Sequence, residues 1–329
     1  MTVSLVLLGS QRRRPTLQDA IRSCDVRGRI AAITAGWEEQ EDDDHDLHDH
    51  LEGLAFNLHL HARADEVFTE DPSLYDELYA AYQQERRLQE MYRLRLAHAL
   101  DSVRALGKLT VDAELLDPEV EDALEVVRRL DRVHLERVKE LHEEKWGRIQ
   151  PEKHDAVARH REEIRDELKD CEALCIAGGH VAILLNRMHL FDILGLWGKD
   201  RPIFAWSAGA MVLSERIVLF HDSPPQGPGN AEVFQPGLGR APGLIPLPLV
   251  RDRLRLDDPD RVRLLTRRML PFRCLALSEG TRIDRVADEW VLHSRVRELM
   301  TDGTVQDVGT VPVDGTMPVD GTAQEGDAK

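Results

Sequence analysis

Residues 202–222, PIFAWSAGAMVLSERIVLFHD, decide the fold. This stretch opens with a short apolar run, residues 203–206, that ends abruptly at Ser207. An apolar pattern with helical spacing begins directly after the serine. The stretch therefore predicts a buried strand, a sharp turn and a helix, with the Ser207 hydroxyl at the apex of the turn.

The position of Ser207 has two interpretations. A serine on a tight strand-to-helix turn projects its hydroxyl from the sheet edge, beside the free amides of the helix N-terminus, and can act as a nucleophile. Ala205 and Gly209 are small, as the close approach of strand and helix requires. The same local sequence also fits a serine that only caps the helix. Both interpretations stay open at this level.

The charge of the chain restricts its partners. The 329 residues include 60 acidic and 43 basic side chains, for a net charge of −17. Nucleic acids and anionic membranes both attract basic surfaces, so neither is an expected partner. No apolar run approaches the length of a membrane span. Hydrophobic residues make up 42% of the chain, enough for a substantial core in one large domain or two small ones.

Cysteine usage and the N-terminus favour a cytoplasmic protein. Four cysteines are few for this length and fit a reducing compartment. The first apolar run has no basic segment before it, unlike a secretory signal. Cys171 and Cys175 lack a second pair at metal-ligand spacing, and the acidic, histidine-containing residues 38–50 fit a solvated loop leading into a helix. We therefore expect no metal and no cofactor.

Strands and helices alternate at both ends of the chain. Residues 3–8, 29–35 and 173–177 are apolar runs typical of buried strands, with helical patterns between them. A further short strand is predicted at residues 65–69. This alternation predicts an α/β domain, a mostly parallel sheet flanked by helices, formed by residues 1–71 and 150–298.

Residues 72–149 break this alternation. They are rich in Leu, Glu, Arg and Ala, and two long apolar stripes predict a helical hairpin inserted into the α/β domain. The hairpin could mediate docking or homo-oligomer assembly, or it could pack on its own domain as a lid; both options stay open. The spacing of the tyrosines fits helix packing better than a cofactor site, and all four lie in this segment: Tyr75, Tyr79, Tyr82 and Tyr92.

The C-terminal residues 299–329 contain the near-repeat VPVDGT/MPVDGT. A segment rich in Gly, Pro, Asp and Thr cannot bury a core, so a disordered tail is predicted.

A second tight turn precedes the first. Gly178-Gly179 follows the predicted strand at residues 173–177, and Gly179 stands 28 residues before Ser207. Two glycines permit positive φ and present bare amides, which is what an oxyanion hole needs. Because both turns end parallel strands, we expect them at the same edge of the sheet.

These motifs together resemble the dipeptidase E / cyanophycinase family of serine peptidases. The resemblance rests on Gly178-Gly179, the WSAGA of residues 206–210, Asp222, the GLG of residues 237–239 and the SEGT of residues 278–281. It covers roughly residues 1–70 and 150–297, and residues 72–150 have no counterpart in the family pattern. It implies a class I glutamine-amidotransferase-like α/β fold and hydrolysis of a peptide or amide bond in a small substrate. A glutamine amidotransferase itself would need a cysteine where Ser207 stands.

The resemblance also implies roles for individual residues. Ser207 would be the nucleophile, and the Gly179 and Ala208 amides would form the oxyanion hole. Asp222 matches an acidic residue that orients the catalytic histidine. Glu279 matches the acidic position of an Asp-Glu-Gly-Thr motif whose first residue is serine here.

One expected residue is missing. The family places its catalytic histidine shortly after Gly-Leu-Gly, but residues 244–250 read LIPLPLV, with Leu249 in the expected place. A serine hydroxyl without a base is a poor nucleophile at neutral pH. His180 or His221 could substitute. The sequence thus supports a serine-type hydrolase with an unusual base or, as the alternative, a catalytically degenerate relative that acts as a binding or assembly protein through its helical hairpin.

Overall fold

The computed structural model describes residues 3–199, 201–220 and 229–309. The strands within these residues are β1 (Val3–Leu8), β2 (Arg29–Ile33), β3 (Ala55–Asn57), β4 (Cys171–Ile176), β5 (Ile203–Trp206), β6 (Arg216–Leu219), β7 (Glu232–Pro236), β8 (Leu244–Pro248), β9 (Arg273–Leu277), β10 (Arg282–Val286), β11 (Glu289–Leu292), β12 (Val296–Leu299) and β13 (Val305–Val308). The α-helices are α1 (Leu17–Ser23), α2 (His45–His50), α3 (Leu60–Glu70), α4 (Pro72–Leu106), α5 (Ala113–Ile149), α6 (Asp155–Lys169), α7 (Val181–Leu190), α8 (Ile193–Trp197), α9 (Ala208–Val212), α10 (Val250–Arg253) and α11 (Pro259–Met269).

The main sheet has the strand order β11-β10-β1-β5-β4-β2-β3. The pairs β1–β5, β5–β4, β4–β2 and β2–β3 are parallel, and β10 and β11 are antiparallel at one edge. The predicted mostly parallel sheet with flanking helices is confirmed. Because Leu8 lies opposite Trp206 and Ile176 opposite Ala205, the carboxyl ends of β1, β5 and β4 meet at one edge. Sheets of this kind bind ligands at that edge.

Strand β5 is buried on both faces. Ile203 and Ala205 belong to the larger apolar cluster, and Phe204 and Trp206 belong to the cluster on the opposite face. Helices cover both faces of a parallel sheet, which is why this strand is a continuous apolar run rather than an alternating one.

Two smaller sheets complete the described structure. Strands β13-β12-β9-β8 form one sheet, with β8 parallel to β9, and β6 and β7 form an antiparallel pair. Strand β13 corrects the predicted tail, which begins too early at residue 299. Val305 pairs with Leu299 and Val308 with Val296, so this short segment completes a sheet despite its polar composition. The near-repeat lies outside the described residues.

The strand predicted at residues 65–69 is wrong, because these residues lie within α3. Leu60, Ala64 and Val67 are fully buried at helical spacing, and this periodicity outweighs the strand-like local composition. The buried Glu41 carboxylate accepts hydrogen bonds from the His61 and Ala62 amides and so caps the start of the helix. The third parallel strand is instead β3.

Residues 72–149 form the predicted hairpin from two helices of 35 and 37 residues, α4 and α5. The hairpin does not stand away from the rest of the chain. Tyr92 and Leu96 of α4 and Val127 and Leu130 of α5 are buried in the larger apolar cluster of the α/β domain. Of the two options left open by the sequence, packing on its own domain describes the structure, and homo-oligomer assembly stays a prediction.

A buried polar network fastens the hairpin to the domain. The Arg268 guanidinium on α11 donates to both carboxylate oxygens of Asp131 on α5, at 2.6 and 2.8 Å. The Tyr92 hydroxyl on α4 donates to Asp131 at 2.8 Å and accepts from the Val233 amide of β7 at 3.1 Å. The network thereby joins both hairpin helices to α11 and β7.

The described residues contain no helix with both the length and the apolar character needed to cross a membrane.

Candidate active site

Ser207 occupies the turn between β5 and α9 with φ 53° and ψ −125°. A residue with a side chain in such a sparsely populated region costs about 1–3 kcal/mol and persists only where its surroundings enforce it. The Ser207 side chain makes no capping hydrogen bond to α9. The capping interpretation therefore finds no support, and the backbone has the strained geometry of a nucleophile elbow.

Glycines at two positions make this geometry sterically feasible. A Cβ atom on Gly178 would lie 2.7 Å from the Ser207 Cβ, and one on Gly209 would lie 2.2 Å from the Ile176 carbonyl oxygen. Neither distance is compatible with a side chain. The turn after β4 and the helix after β5 can approach this closely only because both residues are glycine.

Gly36 also belongs to this contact, a role that its local sequence does not indicate. Its carbonyl accepts a 2.6 Å hydrogen bond from the His180 amide. A Cβ on Gly179, whose φ is 108°, would lie 2.0 Å from the same carbonyl oxygen. Gly36 follows β2, the parallel neighbour of β4. The sequence does show a glycine after β2 and another after β4. It does not show that these two strands are neighbours in the sheet, which is what brings the glycines together.

Two backbone amides beside Ser207 are free to donate. Within the described residues, neither the Gly179 nor the Ala208 amide makes a backbone hydrogen bond. A Cβ on Gly178 would lie 3.3 Å from the Ser207 Oγ and 3.6 Å from the Ala208 nitrogen, so hydroxyl and amide flank one glycine. Unpaired amides at a helix start are where an anion binds.

His180 directly follows the glycine turn, Gly178-Gly179. It precedes α7, and its Nδ1 accepts the Ile183 amide at 3.3 Å, which leaves the proton of the neutral ring on Nε2. No histidine among the described residues hydrogen-bonds Ser207. The His180 role therefore stays a prediction, and Asp222 and His221 lie outside the described residues.

Leu249 follows β8 at the place where the resemblance implies a histidine. Its backbone is left-handed, with φ 55° and ψ 36°, and it precedes the short helix α10. Helix α9, which begins directly after Ser207, packs against β8. The backbone turns sharply at this position, but the side chain that it presents is apolar.

Glu279 lies at the same sheet edge as Ser207. It occupies the turn between β9 and β10, where the Thr281 carbonyl accepts a 2.9 Å hydrogen bond from the Gly9 amide at the end of β1. Strand β1 is the parallel neighbour of β5. The Glu279 side chain is exposed.

A cavity of about 370 Å³ adjoins the glycine turn, between the hairpin and α7. Three of the four tyrosines, Tyr75, Tyr79 and Tyr82, are 38–51% exposed, whereas Tyr92 is buried. The residues around the cavity include Tyr75, Tyr79, Tyr82, Trp146, His180 and Arg187.

No cluster of three or more metal-ligating side chains occurs in the part of the chain that the structure describes. Cys171 and Cys175 are buried, and burial raises the pKa of both thiols. In the acidic segment, His48 contacts the Ala55 carbonyl and His50 accepts the Gln18 amide. These ring nitrogens are engaged in local structure.

Residues 127–241 match peptidase family S51. The matched segment begins within α5, includes the glycine turn and the strand-to-helix turn at Ser207, and ends at Ala241. It confirms the resemblance to dipeptidase E-type peptidases and identifies a peptidase-like hydrolase scaffold.

Two solved structures show weaker similarity. A peptidase from an acI-B1 Actinobacterium is 18% identical, with 56% of this chain and 77% of that chain covered and a TM-score of 0.33. A protein assigned as a peptidase E from Listeria monocytogenes EGD-e is 16% identical, with 40% and 63% covered and a TM-score of 0.29. Similarity at this level carries no functional information. No curated protein matches the chain.

Proposed function

We propose that this chain is a serine-type hydrolase of the dipeptidase E kind, which cleaves a peptide or amide bond in a small substrate through Ser207. The observation that carries the proposal is the strained backbone of Ser207, with φ 53°, next to two amides that have no partner among the described residues. The strained backbone lowers the stability of the fold, and the Ser207 hydroxyl makes no compensating hydrogen bond within the described residues. Strain of this kind is expected where function maintains it.

The proposed reaction begins with attack of the Ser207 Oγ on the substrate carbonyl. The carbonyl oxygen becomes an oxyanion held by the Gly179 and Ala208 amides. One such donor contributes about 100- to 1,000-fold to the rate of acyl transfer. Glu279, at the same sheet edge, would lie beside the bound substrate.

The mechanism also needs a general base that accepts the Ser207 proton, and among the described residues we propose His180 for this role. Among the described residues, its exposed ring is held only by the 3.3 Å contact with the Ile183 amide. Rotation about its side-chain bonds would release Nδ1 and turn the ring toward the glycine turn. Asp222 would support a histidine base, as the resemblance implies.

A second candidate function is binding without catalysis, and Leu249 is the observation that favours it. An apolar side chain stands where relatives carry the catalytic histidine, in a backbone conformation that is strained for leucine. Loss of one member of a catalytic triad costs several powers of ten in rate. The elbow would then survive as part of a ligand site.

Labelling with a fluorophosphonate probe separates the two functions. The first predicts labelling of wild type, none of Ser207→Ala and normal labelling of Ser102→Ala, which alters an exposed serine on α4. Wild type that labels no faster than Ser207→Ala would refute a reactive serine.

Two further variants examine the base. His180→Gln should abolish labelling at neutral pH if His180 is the base, whereas unchanged labelling would exclude it. Leu249→His should raise the labelling rate at least about tenfold if the missing histidine limits an inactive site. No gain in that variant would argue that Leu249 does not occupy the histidine position.

A further inference from the structure

The cavity between the hairpin and α7 has the properties of a built binding site. Its volume of about 370 Å³ lies within the range of small-molecule pockets. Hairpin residues form much of its lining. The family match begins at residue 127, so the α4 side chains of the lining, among them Tyr75, Tyr79 and Tyr82, lie outside it.

One side of the cavity is aromatic. The ring of Phe68 on α3 meets Tyr75 edge-on at 5.5 Å between centroids, and Tyr75 stacks on Tyr79 at 5.9 Å. Tyr75 and Tyr79 are 45% and 51% exposed. These rings pack on one another and leave faces open to the cavity, which suits a planar or apolar ligand group.

The cavity also contains the Arg187 guanidinium, which has no hydrogen-bond partner among the described residues. Its Nε and the Nε1 of Trp146 have almost no accessible surface and do not face the cavity. A ligand would therefore contact the two terminal nitrogens of Arg187. Arg187 also lies over the Phe68 ring, 5.1 Å from its centroid, so the charged and aromatic parts of the lining are adjacent.

The other charges of the lining are largely paired. Lys145 donates to Glu85 at 2.7 Å, and the second Glu85 oxygen accepts from Gln235 at 3.0 Å. Asp65 is mostly exposed and lies 3.7 Å from His61. No described carboxylate lies within ion-pair distance of Arg187, and its largest electrostatic attraction comes from Asp65 of the same lining. Burial lowers the pKa of this guanidinium, against attraction from Asp65.

We propose that this cavity binds a small carboxylate with an aromatic or apolar body. The carboxylate accepts hydrogen bonds from the terminal nitrogens of Arg187, and the body lies against Tyr75 and Tyr79. His180 lines the cavity, and its amide is bonded to Gly36 at the glycine turn, so the bound molecule lies beside the elbow. Binding does not require Ser207 to react, and the site stands whether or not the chain is a hydrolase.

The experiment is a calorimetric titration with N-acetyl-L-phenylalanine and its uncharged analogue, N-acetyl-L-phenylalaninamide. Wild type should bind the acid at least about tenfold more tightly than the amide. Arg187→Met should lose this preference by weakening only the acid. Tyr79→Ala should weaken both probes, since it removes an aromatic wall from an exposed helix position.

Three controls make the result decisive. Arg132→Met removes an arginine that is 56% exposed on α5 and should bind as wild type does. Ser207→Ala should also bind normally, which separates this site from the proposed catalysis. Arg187→Lys retains a charge and should keep part of the preference, and thermal unfolding checks that each variant is folded. Equal binding of acid and amide, an unchanged Arg187→Met, or no saturable binding up to about 10 mM acid would overturn the proposal.

Discussion

A Cβ atom placed on Gly178 would lie 2.7 Å from the Cβ of Ser207. The turns that contain Gly178 and Ser207 are distant in sequence, yet the Ser207 side chain packs against the Gly178 backbone at the carboxyl edge of the sheet. The position of the serine hydroxyl depends on this contact as much as on the sequence around Ser207. Substitutions at the contact should consequently alter both stability and reactivity.

Gly178→Ala should destabilise the protein by about 1–3 kcal/mol, because the added methyl group forces one of two buried turns to move. It should also abolish any probe labelling of Ser207. Gly147→Ala is the control: nothing lies within 4 Å of its added Cβ, in helix α5. That variant should gain about 0.5–1 kcal/mol from helix propensity. Urea unfolding measures both values, and a Gly178→Ala variant as stable as wild type would contradict the described contact.

Ser207→Gly should be more stable than Ser207→Ala by about 1 kcal/mol. The φ of 53° at this position is costly for any residue with a Cβ, and glycine removes that cost. The greater conformational entropy of glycine in the unfolded chain offsets part of this gain in stability. The exposed helical Ser102 is a control of opposite sign, since glycine there should be about 0.5–1 kcal/mol less stable than alanine. Denaturant midpoints of the four variants provide the measurement, and the same order at both positions would disprove strain at Ser207.

The sheet and the elbow could be predicted because their signals are local. Strands buried on both faces are continuous apolar runs, as in residues 203–206, and the abrupt end of this run at Ser207 indicates a strand-to-helix turn. The glycine turn at Gly178-Gly179 was likewise visible as a departure from the apolar pattern. Its proximity to Ser207 followed from the general rule that parallel strands end at a common edge.

The parts that were missed depend on contacts between distant segments. Gly36 braces Gly179 only because β2 and β4 are neighbours, which residues 29–36 do not reveal. Residues 65–69 have strand-like composition, yet burial of Ala64 and Val67 on the domain fixes a helix. The exposure of three tyrosines on α4 could not be predicted, because their helical spacing fits a buried face equally well.

Asp131→Asn should cost about 3–5 kcal/mol, because it leaves the buried Arg268 guanidinium without its counter-charge. Arg268 and Asp131 are both 2% exposed, and their network joins the hairpin to β7 and α11. Glu143→Ala on the same helix removes an ion pair with Lys139 in which both side chains are 68% exposed, and should change stability by less than about 0.5 kcal/mol. Chemical unfolding compares them. A loss below about 1 kcal/mol for Asp131→Asn would show that the network does not hold the hairpin in place.

His189, behind the cavity, should make the protein sensitive to acid. Burial, with the nearby charges of His142 and Lys145, lowers the pKa of His189 to about 4. Because the folded pKa lies below the unfolded value of about 6.5, the imidazole favours folding while it is neutral. This contribution is complete above about pH 6.5 and declines by about 3 kcal/mol as the pH falls to about 4. The free energy of unfolding of wild type should therefore fall more steeply over this range than that of His189→Gln, whereas His98→Gln, at an exposed position on α4, should parallel wild type. Equal slopes for wild type and His189→Gln would mean that His189 titrates normally and is hydrated in the folded protein.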